Sequence, residues 1–121
     1  MKRAVGGFAA LCMALALWGC GGNQPPEGIS GEAYAIGLEA LQTTDAFLDG
    51  RTTVETAQQR LEALYTSLLQ VEAQDTLDST LGIRILLVEA DLFLVLYADG
   101  TPQGVVQSRN DLAETLEQPQ R

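Results

Sequence analysis

The sequence predicts an all-α fold, a small antiparallel four-helix bundle, and three observations carry that prediction. Apolar residues recur at steps of three and four through most of residues 31–118. Gly, Pro and Asp-Gly pairs interrupt the pattern and leave short connections, which force consecutive helices antiparallel. The one stretch with strand propensity, Phe93 to Tyr97, continues an unbroken helical pattern and has no evident strand partner. At 121 residues the chain has room for one domain.

The N-terminal segment, residues 1–19, is a targeting sequence by pattern. Met1-Lys2-Arg3 is a basic start, and Ala4 to Trp18 is apolar except for two glycines. The run is short for a bilayer-spanning helix, which needs about 17–25 residues. A retained anchor would have to extend past Cys20 into Gly21-Gly22. Leu17-Trp18-Gly19-Cys20 resembles the lipobox of bacterial lipoproteins: an apolar residue, a variable one, a small one, then Cys. Trp18 departs from the small residue usual in its slot. Cys12 does not fit the pattern, because Leu11 before it is too large.

The resemblance implies that the Cys20 thiol carries a diacylglyceryl group and that a signal peptidase reading Leu17 and Gly19 cuts before Cys20. That covalent lipid is the only non-protein group expected, with no cofactor and no metal. The anchored domain would then stand outside the cytoplasm, on the cell membrane or the outer membrane. Gly21 is not the Asp that, in this family, signals inner-membrane retention. An ordinary signal peptide remains the alternative: Ala14-Leu15-Ala16 supplies a site, and cutting after Ala16 would release a diffusible protein with a free thiol. Exposed thiols outside the cell are open to oxidation, which favours the lipid.

Without residues 1–19 the chain keeps five arginines against 16 acids, a formal charge of −11, with no lysine and no histidine. Such a surface repels nucleic acid and anionic head groups, so nucleic-acid binding is excluded. No disulfide is available, and residues 31–119 must be held by their core alone. Residues 20–30, rich in Gly and Pro, form a flexible linker able to reach about 33–36 Å when stretched.

The first helix is predicted over 31–49. Ser30 caps it, Tyr34, Leu38, Leu41 and Leu48 form its buried stripe, and Gly50 stops it. The second, over 53–73, opens with a capping box from Thr52 to Glu55. Its stripe is Val54, Ala57, Leu61, Leu64, Leu68 and Val71. The third, over 77–98, has the stripe Leu81, Ile85, Val88, Leu92 and Val95, with Asp75 and Asp78 read as capping and dipole groups. Leu86, Leu87, Phe93, Leu94 and Leu96 add further apolar surface, and Arg84, Glu89 and Asp91 oppose a transmembrane reading. The fourth, over 102–118, starts at Thr101-Pro102, turns Val105, Leu112 and Leu116 inward, and ends at Pro119. "FLDGRT" and "YADGTP" lie 50 residues apart and raise the question of two similar hairpins; Asp-Gly as a good helix stop and turn is the simpler explanation of the echo.

Catalytic patterns are absent. The chain has no histidine, no Gly-rich phosphate loop, and no lysine beyond Lys2. Glu89 and Asp91 are two residues apart and diverge on a helix, so they make a poor acid–base pair. Tyr34, Tyr65 and Tyr97 are read as core residues rather than as the lining of a ligand groove. The expectation is a non-enzymatic, membrane-anchored interaction module. Leu86, Phe93 and Leu94 are its candidates for facing an envelope protein or a second copy. The alternative is an exported small-ligand carrier with a pocket inside the bundle.

Overall fold

The computed structural model describes residues 24–72 and 74–121. Leu17, Gly19 and Cys20 lie outside them. The described residues form four helices and no strand: α1 (Gly31–Leu48), α2 (Val54–Leu69), α3 (Asp78–Tyr97) and α4 (Pro102–Thr115). Each helix packs on its neighbours in sequence, α4 closes back on α1, and α1 also touches α3 across the diagonal. This is the antiparallel four-helix bundle that the periodicity predicts.

The helix ends follow local chemistry. Ser30 Oγ accepts from the Ala33 N–H at 3.2 Å and caps α1. At the other end Gly50 takes φ 75°, the Gly50 N–H donates to Phe47 O at 3.0 Å, and the Arg51 N–H donates to Ala46 O at 2.8 Å. These two bonds satisfy carbonyls that the helix itself leaves unpaired. The capping box at Thr52 does not form. Thr53 is the cap instead, accepting from the Thr56 N–H at 3.1 Å, and Thr56 rather than Glu55 stands three residues on. Thr101 occupies the cap position of α4 without a side-chain bond, and Pro102 alone marks the start.

α2 ends at Leu69, short of the predicted 73. The Gln70 and Val71 N–H groups turn to Ser67 O and Leu68 O, which tightens the last turn and swings Val71 into the core outside the helix. The link to α3 therefore has eight residues, longer than the other two. α4 ends at Thr115. Glu117 adopts φ 57°, and the Gln118 N–H donates to Ala113 O at 2.8 Å, so the tail reverses before Pro119 is reached. The two Asp-Gly turns also differ. Gly50 carries the left-handed residue in the first, Asp99 with φ 57° in the second, so the echo does not extend to backbone geometry.

The core is the predicted set of stripes. Leu61, Leu81, Ile85, Val88, Leu92, Val105, Leu112 and Leu116 are fully buried, and Leu38, Leu48, Val54, Leu64 and Val95 pack partly buried around them. Gly37 allows the diagonal approach of α1 and α3. A Cβ there would stand 2.7 Å from Leu116 Cδ2 and 3.2 Å from both Leu81 methyls.

The end of the linker is part of the bundle. Ile29 is buried, and Gly28 O accepts from the Leu77 N–H at 2.7 Å. Asp78, itself buried, takes three hydrogen bonds on its carboxylate. The Ser30 N–H donates to Oδ1 at 3.0 Å; the Ser30 hydroxyl and the Asp75 N–H donate to Oδ2 at 2.8 and 3.0 Å. The capping role read for Asp78 in its own helix is thus replaced by a bond across to the start of α1, and α3 has no side-chain cap. Asp75 accepts locally, from the Thr76 N–H at 2.7 Å.

Two substitutions test this packing. Gly37→Ala gains up to about 1 kcal/mol of helix propensity but overpacks the diagonal by about 1–3 kcal/mol, so urea titration is expected to give a net loss. Asp78→Ala unpairs Ser30 and is expected to lower unfolding free energy by about 1.5–3 kcal/mol in the same titration.

Candidate functional site

α3 is apolar on two opposite faces. Leu81, Ile85, Val88 and Leu92 point into the bundle and are fully buried. Ile83, Leu86, Leu87, Phe93, Leu94 and Tyr97 point outward, each keeping between 40% and 68% of its surface exposed, and exposed Ala90 lies among them. The outward set is spaced 3, 1, 3, 3, 1, 3 along the helix, the spacing of a helix–helix seam. Phe93 and Tyr97 stack with ring centroids 4.6 Å apart and planes tilted by 46°. From Ser79 to Ala98 no exposed residue of α3 is charged.

The charged residues of α3 sit on the two edges between these faces. Glu89 turns toward α2, where burial and the nearby Glu62 push its carboxyl above the usual range. Its Oε1 is buried without a hydrogen-bond partner, as is Arg84 Nε. Asp91 turns to the other edge, with its carboxyl against Gly104 of α4. The divergence read from the spacing of Glu89 and Asp91 is thus present. Among the described residues Arg84 and Asp91 form no ion pair.

Leu86, Phe93 and Leu94, the residues singled out from sequence, are all on the outward face. Ile83 and Tyr97, absent from that sequence-derived set, extend it by a turn at each end. Their signal was available: both continue the outward spacing and fall off the core stripe. Leu96 lies half-buried at the edge. Tyr97 is not a core residue, and the three tyrosines share no groove. Tyr34 is buried, its hydroxyl accepting from Gln118 Nε2 at 3.3 Å, and burial pushes that phenol up. Tyr65 lies over Gly82 on the α2–α3 contact.

The only buried cation among the described residues, Arg109, serves structure. Its Nε and Nη2 donate to Asp45 Oδ1 and Oδ2 at 2.8 and 3.1 Å, and its Nη1 donates to Pro119 O at 2.7 Å. Arg121 adds bonds to Asp45 at 3.2 Å and Asp49 at 2.7 Å. Arg121 and then Arg51 hold the Asp49 carboxyl below the usual range. The reversed tail is thereby strapped along α1. A cleft of about 300 Å³ lies beside this strap, lined by Leu38, Leu41, Gln42, Asp45, Arg109 and the tail. It sits at the surface, where Gln42 and Gln120 are exposed.

Among the described residues, no three potential ligand side chains gather as a metal site, and no helix is long and apolar enough to cross a membrane. Comparison of the chain with protein-family models, with curated proteins and with solved structures found no match.

Glu89 gives a pH test of the edge. A carboxyl raised in the fold is penalised when charged, so its stability contribution is full while it is protonated and falls as pH rises through its folded pKa. Glu89→Gln is expected to raise the thermal midpoint at neutral pH. The gain should vanish near about pH 3, where both states of the wild-type side chain are protonated.

Proposed function

We propose that this chain is a lipid-anchored bacterial lipoprotein of the cell envelope whose helical domain is a non-enzymatic interaction module. The observation that carries the module reading is the uncharged apolar face of α3, running from Ile83 to Tyr97 on a strongly acidic domain. Soluble monomers seldom leave contiguous apolar patches above a few hundred Å² exposed without a use for them. The anchor reading rests on Leu17-Trp18-Gly19-Cys20 and its resemblance to a lipobox. Each buried acyl CH₂ contributes about 0.8 kcal/mol, so two or three chains hold a protein to a bilayer far more firmly than one. The mechanism is localisation: the tether concentrates the α3 face near the membrane, where an envelope partner would meet it.

The carrier reading has less support. The surface cleft is at the small end of ligand sites, and the Arg109 and Asp45 groups that line it are already committed to each other and to the tail.

Two measurements test the proposal. The intact mass of the expressed full chain should show an N-terminal Cys20 bearing diacylglycerol, with partition into the detergent phase. A bare chain beginning at Leu17, in the aqueous phase, overturns the anchor. A photo-crosslinking residue in place of Leu94 should give protein adducts in membranes. Anchored protein that gives no adduct overturns the module.

A further inference from the structure

We infer that the outward face of α3 pairs with the same face of a second copy of this chain, antiparallel and centred on Ala90; this rests on the interaction-module reading and names its partner. Three features of the face select that occupant. The first is self-complementarity. The face is symmetric about Ala90: Ile83 and Tyr97 lie seven residues to either side, Leu86 and Leu94 four, Leu87 and Phe93 three. A two-fold axis through Ala90 therefore lays each large residue against a large one in the copy. The smallest side chain falls at the crossing, where the backbones come nearest.

The second is area. The exposures of these six residues amount to about three fully exposed large side chains, roughly 600 Å² at ~200 Å² each. Two copies would bury about 1,200 Å², the lower bound of specific, stable protein–protein contacts. The Phe93–Tyr97 stack adds a preformed aromatic anchor at each end.

The third is charge. The domain is acidic throughout, and two copies repel wherever carboxylates meet. The outward face of α3 itself carries no charge, because its charged residues, Arg84, Glu89 and Asp91, are turned to the edges. A lipid surface fits the face poorly. Helices that lie on bilayers carry Lys and Arg around the apolar strip, and here the flanking charges are one arginine and two acids.

The test is disulfide trapping of the full chain in the membranes of expressing cells, with copper–phenanthroline as oxidant. Ala90→Cys places a thiol at the two-fold axis and should give a band of twice the chain's mass. The unsubstituted chain and Gln59→Cys, on the exposed side of α2, should not. Adding Leu94→Glu to Ala90→Cys should abolish the band, while circular dichroism shows the same helix content and a cooperative thermal transition. No doubled band from Ala90→Cys overturns the inference, as does a band that survives Leu94→Glu. Adducts of other masses also overturn it; they assign the face to a different protein and leave the module reading standing. Loss of the lipid would show separately, as chain in the aqueous phase.

Discussion

The bundle depends on one buried carboxylate. Asp78 stands at the first position of α3 and takes the backbone and the hydroxyl of Ser30, the residue that caps α1. Two helix N-termini that run side by side across the diagonal are thus joined through a single side chain. The bond sets their relative height, and the height brings Gly37 close against Leu81 and Leu116, where a Cβ would crowd their methyls. It also seats Ile29 and fixes Gly28 against Leu77, so the segment leading in from the N-terminus reaches the bundle at the start of α3. A buried carboxylate without its donors would be costly; three hydrogen bonds to one group make the arrangement stable and specific.

What the sequence made legible was whatever repeats locally. The stripes of α2 and α3 and the inward residues of α4 follow from spacing, and Gly50 from the need for a left-handed residue after α1. The pairings that lock the helices together carry no such signal. Ser30 and Asp78 are 48 residues apart, Arg109 and Asp45 are 64, and neither pair belongs to a pattern. Helix ends depart from the periodicity where two local solutions compete: Thr52 and Thr53 are both of a residue type that caps, though only Thr53 does so, and Val71 keeps the apolar spacing and is buried although α2 ends at Leu69. The candidate face was half legible. Leu86, Phe93 and Leu94 stand out as surplus apolar residues, whereas spacing alone does not place Tyr97, because an aromatic at helical spacing looks the same on either side of a helix.

α3 carries two apolar faces, one buried and one exposed, and this limits where it can place charge. With the inner face filled by Leu81, Ile85, Val88 and Leu92 and the outer by the Ile83–Tyr97 set, only the edges remain. Arg84, Glu89 and Asp91 occupy them, and two of the three leave a buried polar atom unpaired or a carboxyl disfavoured in its charged form. The helix accepts that local cost to keep its outer face neutral. The strap of Arg109 and Arg121 does the opposite, gathering the carboxylates of Asp45 and Asp49 at the end of α1 into one network.

The acid surplus and the neutral face act over different ranges. Carboxylates repel across roughly 10 Å at about 0.1 M salt, whereas apolar contact begins only when surfaces touch. Two domains approaching in dilute buffer meet the repulsion first; in stronger salt the barrier thins while the contact energy is unchanged. Such a molecule behaves like a charged colloid with one sticky stripe. In the pairing proposed for α3, ionic strength, rather than any titrating side chain on the stripe, becomes the control on association, and in the opposite sense from an interface built on ion pairs.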